Sequence, residues 1–523
     1  MSDHGPNRRT FLKGIGAAAA GVTLGVPLLS ACSGGTSLTP QGAPGAGGTT
    51  PVKGGKAVLA IQDSPVNMDP ADGQLYSSLE VYQNIFSELL EVDENFNFKP
   101  NLATSWKQED PTTWTFELVD NAVFQNGEPF TAADVAYTVQ RMKPHPLGPY
   151  LQFFQSVDVV DQHTARIHLT KPYGPMEATM ASLVDITNEK AIKSGDPKQT
   201  PIGTGPYKLD EWVKGSHVTL SRWDKYFKSD RPYLDQITFQ SVSDDTVRLT
   251  GLQTGQLDWI QAVPPQQSAA LQRSNSIAHT RAGAYQPYLM PFNTTAPPFN
   301  DIKVRQAVSW AIDRSEIVKL AFFGTAVEAT EAISPPNPFY SGVNPYKGGP
   351  DLDKARSLMS QAGVSNVDVV MLVQQEVTTY TQIAQVLQSQ LAKIGINLHI
   401  ETASSAQFFG RLVSQKFGAA LTYFSVSLDP ALTYYLLGNS SSSFNDSGYK
   451  SPRLDAALNK FTFEADQKIR KQIYPDLVTA FAEEAPFIFL ANQQQQYWTT
   501  PKIHGAMPLP SLEIRAEDMW KSV

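Results

Sequence analysis

Apolar and polar residues follow two periods along the chain, and the shorter one predicts strands. Residues 57–61 are continuously apolar, which indicates a buried strand. Apolar and polar positions alternate over residues 114–119 and again over residues 166–169, which predicts half-buried strands. The glycines of residues 203–206 indicate a turn between such elements.

The longer period predicts helices. Apolar residues recur at helical spacing over residues 79–90, 304–312 and 383–394, and the last of these stripes ends at Gly395. Residues 131–134 read Thr-Ala-Ala-Asp, a capping box that opens a short helix. Because helices and strands alternate through the chain, we predict an α/β fold with mixed sheets.

Composition and charge narrow the classes of function. The 523 residues include 42 Lys+Arg and 50 Asp+Glu, a net charge of −8, which gives no support for nucleic-acid binding, since that requires a basic face. Hydrophobic residues make up 41%, enough for a packed core, which argues against a disordered chain. At about 100–200 residues per domain, this length predicts roughly two to four domains.

The N-terminal residues read as an export signal. Arg8 and Arg9, followed by Phe-Leu-Lys, resemble the twin-arginine signal, and residues 15–29 form a mildly apolar stretch rich in Ala and Gly. No run of about 18 apolar residues follows this segment, so no later transmembrane helix is expected. We therefore predict a signal peptide at residues 1–31.

Cys32 stands where a bacterial lipoprotein carries its lipidated cysteine. Residues 29–32 read Leu-Ser-Ala-Cys, a sequence that looks like a lipobox. The chain has one cysteine, so no disulfide forms within it. Residues 32–55 are mostly Gly, Ser, Thr, Pro and Ala, which predicts a flexible tether. The protein is thus expected to be a lipoprotein anchored to a membrane surface through Cys32.

Catalytic and metal-binding patterns give little support for an enzyme. No two of the eight histidines are spaced i, i+4 on a predicted helix, and no G-x-S-x-G elbow or phosphate loop is present. We expect no metal, no cofactor and no catalytic activity. A lipid-anchored hydrolase with two distant carboxylates stays open as an alternative, because such acids need not be neighbours in sequence.

A series of blocks in fixed order resembles the solute-binding proteins of bacterial peptide-type ABC importers (family 5: oligopeptide, dipeptide and nickel binders). The resemblance extends over about residues 54–523. Its blocks lie at residues 102–106, 114–118, 123–135, 203–209 and 254–258, and then at 292–294, 298–301, 304–308, 311–314, 391–396, 429–430 and 484–488.

Most of the matched polar and glycine residues are expected to be structural. Gly127, Gly205 and Gly255 stand where turns are predicted, and glycine permits the positive φ that turns require. Arg305 and Asp313 are expected to brace the helix of residues 304–312.

The resemblance implies a two-lobed periplasmic-binding-protein fold with an extra domain and a hinge between the lobes. Lobe I then comprises residues 51–75, 185–275 and 490–523, and lobe II comprises residues 276–489. The extra domain comprises residues 76–184, beside lobe I. The lobes are expected to close on a solute by hinge motion.

The function that the resemblance implies is extracellular solute binding for transmembrane transport. A monomeric, lipid-anchored protein of the periplasm, or of the outer face of the cytoplasmic membrane, captures an oligopeptide or dipeptide. It delivers this peptide to the permease and ATPase subunits of an ABC transporter. An oligosaccharide or another non-peptide solute is the alternative ligand, and nucleic acid is not expected as a partner.

Candidate cleft residues combine aromatic rings, which stack on peptide groups or sugar rings, with polar groups that orient a solute. They are Gln62, Asp63, Tyr285, Tyr288, Asn293, Tyr423, Phe424, Ser425 and Asp429.

One departure from the family bears on the ligand. Peptide binders of the family often carry Trp-x-x-Asp-x-x-Asp-Pro, whose first Asp pairs with the α-ammonium of the peptide. Alignment on Asp429 places Tyr423 at the Trp and Val426 at that Asp. Because an unpaired buried ammonium is costly, either Asp63 or Asp429 substitutes for the missing acid, or the ligand has no free N-terminus.

Overall fold

The computed structural model describes most of the chain after the predicted signal peptide. The described residues are 50–72, 76–261, 263, 267–268, 271, 277–424, 428–507, 509–511 and 514–522, with backbone alone at residues 76 and 279–285. Within them, no helix combines the length and the apolar composition that crossing a membrane requires. The predicted signal peptide, Cys32 and most of the tether lie outside the described residues, as do Ser425 and Val426.

The strands that the described residues form are numbered β1 to β20 along the chain. They lie at Lys56–Ile61, Leu90–Val92, Phe98–Pro100, Ala103–Asp110, Thr113–Leu118, Phe154–Asp161, Thr164–Leu169, Tyr207–Val213, His217–Arg222, Gln236–Ser241, Trp259–Gln261, Ala278–Pro291, Ala326–Glu328, Val367–Gln374, Ile396–Ala403, Ala419–Ala420, Thr422–Tyr423, Phe487–Thr499, Ile503–His504 and Trp520–Lys521.

The helices of the same residues are numbered α1 to α13. They lie at Tyr76–Tyr82, Ala132–Met142, Met176–Met180, Glu189–Ser194, Asp245–Thr254, Ile302–Ala311, Arg314–Leu320, Leu352–Gln361, Thr378–Ala392, Ser405–Val413, Pro430–Gly438, Pro452–Thr462 and Gln467–Glu484. Short 3-10 turns occur at Pro70–Asp72, Gly148–Leu151 and Ala516–Asp518.

The main sheet has the strand order β17-β12-β18-β11-β1-β10-β9-β8, with β13 also paired to β18. β1 is parallel to β10 and β11, whereas β12 and β18 are antiparallel and pair over most of their length. One end of this long pair borders β11, and the other end borders β13 and β17. β12 and β18 therefore connect the two ends of the sheet.

The other sheets are smaller, and the two larger of these have four and three strands. β4, β5, β7 and β6 form an antiparallel sheet in that order, and β14 lies between β15 and β16 in a parallel sheet. The fold is mixed α/β with several sheets, as the sequence predicts.

Local sequence accounts for several element boundaries. α2 begins at the predicted capping box, in which Thr131 and Asp134 satisfy each other's backbone amides. β7 alternates half-buried and buried residues along its length, as the pattern over residues 166–169 predicts. α6 and α9 coincide with the predicted stripes, although α9 ends at Ala392 and Gly395 lies in the following turn, with φ +80°.

The predicted helical stripe over residues 79–90 is only partly a helix. α1 ends at Tyr82, and Leu90 already belongs to β2. The carbonyl of Ile85 accepts hydrogen bonds from the amide of Gly205, at 2.8 Å, and from the Gln125 side chain, at 3.1 Å. These long-range bonds take the place of helical ones, so the helix does not continue.

The sequence predicts a positive φ at Gly205, and this prediction is wrong. Gly127 and Gly255 do have positive φ, at +88° and +75°, but Gly205 does not. A Cβ on Gly205 would lie 2.6 Å from the carbonyl carbon of Ile85. Glycine is needed at this position because two backbone segments approach closely.

Arg305 and Asp313 do have structural roles. The buried Arg305 guanidinium donates to the carbonyls of Phe299, at 2.7 Å, and Glu484, at 2.9 Å. Asp313 caps the N-terminus of α7, the helix after the predicted one, by accepting from the amide of Glu316.

The buried apolar side chains form clusters that follow the sheets. One cluster lies around β1, β9, β10 and α1, and another lies around β14, β15, α6 and α9. A third joins the four-stranded sheet and α2 to α11, α12 and α13. In this third cluster the ring of Phe153 lies 4.8 Å from that of Phe463 and 5.7 Å from that of Tyr435.

Candidate functional site

Three tyrosines form one side of the candidate site. Tyr288 on β12 and Tyr423 on β17 are register partners, and Tyr380 stands in the first turn of α9. The centroid of the Tyr288 ring lies 5.8 Å from that of Tyr423 and 5.9 Å from that of Tyr380, and Tyr380 lies 6.0 Å from Tyr423. These separations are typical of packed aromatic pairs. We call these three residues the tyrosine cluster.

Hydrogen bonds fix the orientation of the tyrosine cluster. The amide of Tyr423 donates to Oη of Tyr380 at 2.8 Å, and Oη of Tyr288 donates to Oε1 of Gln493 at 2.8 Å. Tyr288 is 5% exposed, whereas Tyr423 is only half-buried. Tyr423 is therefore the most exposed residue of the cluster.

Two polar residues, one of them acidic, lie at the C-terminal end of β1. Gln62 and Asp63 follow this strand directly, and both side chains are exposed to solvent. Desolvation by the surrounding protein raises the pKa of Asp63, and the charge of Glu376 raises it further, while Arg248 opposes both effects. Asp63 thus lies close enough to Arg248 on α5, and to Glu376 after β14, to interact with both electrostatically.

Glu80 on α1 is a buried acid in the same region. Its side chain is 1% exposed, and among the described residues no group hydrogen-bonds to its Oε1. Burial raises the pKa of Glu80 to about 8; Arg248 lowers it and Asp63 raises it. The carboxyl group is therefore largely protonated at neutral pH.

The acids interact electrostatically with Tyr423 of the tyrosine cluster. Burial raises the pKa of Tyr423, and the charges of Asp63 and Glu80 raise it further. Residues that are far apart in sequence, on β1, α1 and β17, are thus brought close in space. This arrangement of an accessible aromatic ring opposite carboxyl groups suits a ligand that has both apolar and cationic parts.

Asn293 is held by structural hydrogen bonds. It is 7% exposed, its amide nitrogen donates to the carbonyl of Gln415 at 2.8 Å, and its Oδ1 accepts from Oγ1 of Thr295 at 2.6 Å. We therefore leave Asn293 out of the proposed ligand contacts.

Asp429 has a buried partner of opposite charge. Arg470 donates to both of its carboxylate oxygens, at 2.5 and 2.7 Å, and the Asp429 side chain also caps α11. Arg470 is fully buried and Asp429 is 4% exposed. A carboxylate already paired in this way is a poor substitute for the acid missing at residue 426.

The other candidates are described in part or not at all. Phe424 is half-buried, and its amide donates to the carbonyl of Pro287 at 3.1 Å, next to the tyrosine cluster. Tyr285 pairs with Gln494 through the backbone, and its side chain lies outside the description. Ser425 and Val426 lie outside the described residues.

Histidines in the described part of the chain form no metal site. No group of three or more His, Cys, Asp or Glu side chains there is arranged to hold a metal ion. At the surface, His168 pairs with Asp158 at 2.8 Å and His399 pairs with Asp368 at 2.9 Å.

Sequence reasoning missed Glu80, Arg248, Glu376 and Tyr380. Glu80 did leave a signal, because it lies between Leu79 and Val81 in an apolar stretch, where an acid is unexpected. Arg248, Glu376 and Tyr380 belong to elements whose approach to β1 or β17 is not visible in the sequence.

Comparisons with known proteins give the family. Residues 97–446 match the bacterial extracellular solute-binding proteins, family 5, and residues 5–25 match the signal sequence of the twin-arginine translocation pathway. The glutathione-binding protein GsiB of Pectobacterium atrosepticum is 27% identical over 482 residues, which are 88% of this chain and 93% of that protein.

Solved structures share the fold. The binding protein DppA of Helicobacter pylori, in complex with the peptide STSA, superposes with a TM-score of 0.81 at 23% identity, covering 90% of this chain and 99% of that one. AgaA of A. tumefaciens R10, in complex with agropinic acid, gives a TM-score of 0.80 at 23% identity and covers 90% and 99%. One fold thus accompanies both a peptide and a non-peptide ligand.

These matches confirm the two-lobed periplasmic-binding-protein fold and the twin-arginine export signal that the sequence predicts. The chain belongs to family 5 of the bacterial extracellular solute-binding proteins, the solute-binding components of peptide-type ABC importers.

Proposed function

We propose that this protein captures a short peptide, an oligopeptide or dipeptide, between its two lobes and delivers it to an ABC permease for import. The observation that carries this proposal is the similarity to a glutathione-binding protein over 88% of the chain. Glutathione is itself a small peptide with a free ammonium group. Catalysis has no part in this proposal.

The lobes in this proposal have the boundaries expected from the sequence. Lobe I comprises residues 51–75, 185–275 and 490–523, lobe II comprises residues 276–489, and the extra domain comprises residues 76–184. The long antiparallel pair of β12 and β18 supports a hinge near residues 276 and 490, where the chain passes between lobes. Ligand binding favours closure because the closed form provides contacts from both lobes.

The peptide contacts we propose come from both lobes. Tyr423 stacks on the peptide backbone or an apolar side chain, with Tyr288 supporting its ring and Phe424 beside it. Gln62 and Asp63 contact the peptide from the end of β1. Tyr285 and Ser425 are further contacts proposed from the sequence.

We also propose that the mature protein is a lipoprotein. Cys32 receives the lipid after export, and residues 32–55 connect the lipid to the folded body. The last residues of this tether are bound to the folded body, because the amides of Gly54 and Gly55 donate to the carbonyl of Tyr233 and the carboxylate of Asp235. Replacement of Cys32 by Ala is expected to move the exported protein from the membrane fraction to the soluble fraction.

A thermal-shift panel on the mature chain from Ser33 tests the peptide proposal. The ligands are glutathione, di- to tetrapeptides with free and with acetylated N-termini, oligosaccharides, and a nickel–histidine complex. A ligand present at 100 times its Kd adds about 2.7 kcal/mol to the stability of the native state, which raises Tm measurably.

The outcomes distinguish the classes of ligand. A shift with peptides of either kind supports the proposal. A shift with oligosaccharides or the nickel complex alone overturns peptide capture and leaves solute capture for another ligand. Turnover of any of these ligands, measured by mass spectrometry, would contradict a binding role.

A further inference from the structure

Glu80 is a buried acid whose two sequence neighbours are apolar. The side chain projects from α1, between Leu79 and Val81, and is 1% exposed. Among the described residues, none donates a hydrogen bond to its Oε1. A buried polar atom without a partner is destabilising, so its retention points to a role in binding.

The groups that face Glu80 come from three other elements. They are Asp63 after β1, Arg248 on α5 and Tyr423 on β17, each of which interacts electrostatically with Glu80. Asp63 in turn interacts with Glu376, which follows β14. The groups that act directly on Glu80 thus include the carboxyl group of Asp63 and the guanidinium of Arg248.

The charge of Arg248 lowers the pKa of both Asp63 and Glu80, but this guanidinium has other partners as well. Arg248 is 4% exposed, and its Nη1 donates to the carbonyls of Val242, at 2.6 Å, and Ser243, at 3.1 Å. Its Nη2 pairs with Asp245. The acids Asp63, Glu80 and Asp245 thus outnumber the one guanidinium with which they interact, and Tyr423, whose pKa Asp63 and Glu80 raise, belongs to the same region.

We propose that Glu80, with Asp63, binds a positively charged ammonium group of the captured solute, while Tyr423 contacts the part of the solute next to it. The inference rests on the proposed capture of a peptide and adds to it the residue that recognises the free N-terminus. Val426 supplies no carboxylate for this purpose, and the Asp429 carboxylate is occupied by Arg470.

The chemistry of binding follows from the protonation state of Glu80. With a pKa of about 8, the empty site holds a proton on this carboxyl group at pH 6.5. An ammonium group within hydrogen-bond distance favours the carboxylate, so binding releases that proton to solvent while the ammonium keeps its own. A buried carboxylate–ammonium pair is then formed with both charges compensated.

The test compares the mature wild type with Glu80→Gln and with Glu94→Gln. Glutamine keeps the size of the side chain and removes the charge, and Glu94 is exposed in the turn between β2 and β3, so its variant removes one charge elsewhere. The ligands are glutathione and a mixture of lysine-free di-, tri- and tetrapeptides, the mixture used before and after acetylation of its amino groups.

Isothermal titration at pH 6.5 in two buffers of different ionisation enthalpy gives both the affinity and the protons released. We expect the wild type and Glu94→Gln to prefer the free mixture and to release close to one proton per ligand. Glu80→Gln is expected to bind the free mixture about 10- to 100-fold more weakly, as for loss of a charge-assisted hydrogen bond, and to release no proton. Its affinity for the acetylated mixture is expected to be unchanged.

Each other outcome is decisive. Equal binding of free peptides by Glu80→Gln and wild type, or preference of the wild type for acetylated peptides, overturns the role of Glu80 and leaves peptide capture intact. Failure of the wild type to bind either mixture or glutathione overturns peptide capture itself. Should Glu80→Gln not fold, Asp63→Asn serves instead, because loss of the neighbouring exposed charge must also weaken binding of free peptides and spare acetylated ones.

Discussion

Arg470 and Asp429 form a bidentate ion pair that is almost fully buried and joins α13 to the N-terminus of α11, with nitrogen–oxygen distances of 2.5 and 2.7 Å. The guanidinium also packs on the rings of Phe461, 4.4 Å from its centroid, and Phe339, 4.9 Å from its centroid. Asp429 was a ligand candidate from the sequence. The pair gives it a structural role, because its carboxylate compensates the positive charge of the fully buried Arg470.

The first prediction concerns this pair. Arg470→Met removes the buried guanidinium of this ion pair, so we expect the free energy of unfolding to fall by about 3–5 kcal/mol. Urea denaturation of the mature protein measures the change. Arg356→Met is the matched control, because its pair with Asp353 is exposed and is expected to contribute about 0–1 kcal/mol. Equal losses in the two variants would contradict the structural role.

The second prediction concerns Glu80 and pH. Its pKa rises from 4.5 to about 8 on folding, so between these values the folded state holds a proton that the unfolded state releases. Stability therefore falls as pH rises through this window, by at most about 1.4 kcal/mol per pH unit from this group. Denaturation curves at pH 5 and pH 8 measure the difference.

In Glu80→Gln this contribution is absent, so the loss of stability between pH 5 and pH 8 is expected to be smaller than in the wild type. Glu94→Gln is expected to follow the wild type. A wild-type difference that Glu80→Gln reproduces in full would show that Glu80 is not the group responsible.

The third prediction concerns two glycines with different structural requirements. Gly205→Ala brings a Cβ within 2.6 Å of the Ile85 carbonyl carbon, so a backbone segment must move, at a cost of about 1–3 kcal/mol or more. Gly127→Ala meets no atom within 4 Å and is opposed only by φ of +88°, which costs about 1–2 kcal/mol. Thermal unfolding is expected to rank Gly205→Ala below Gly127→Ala, and the reverse order would refute the close approach.

The fourth prediction concerns the accessible ring of the tyrosine cluster. Tyr423→Ala removes the stacking surface. For any peptide that raises the Tm of the wild type, this variant is expected to bind about 2- to 10-fold more weakly. Tyr423→Phe keeps the ring and is expected to bind within about 2-fold of wild type. If the two variants bind alike, the ring is not a ligand contact.

Local sequence determined much of the secondary structure. The capping box at Thr131 and Asp134 and the apolar stripes of α6 and α9 lie within single elements, where neighbours in sequence are neighbours in space. Because hydrophobic periodicity and capping act over a few residues, they were visible without a fold. The export signal at Arg8 and Arg9 was visible for the same reason, since it is a contiguous motif.

The family, too, followed from the sequence, because blocks kept in fixed order need no coordinates to be compared. The two-lobed fold came with the family. Periodicity alone predicted only a mixed α/β chain.

Only the tertiary structure decided the roles of single residues at the candidate site. The sequence made Asp429 and Asn293 ligand candidates, whereas in the fold they bond to Arg470 and Gln415. Residue 205 must be glycine because it approaches Ile85, which lies 120 residues earlier. Glu80 and Tyr423 meet across the fold in the same way. Burial, pairing and the resulting pKa shifts depend on which distant segments approach each other, and a single sequence does not contain that information in any local pattern.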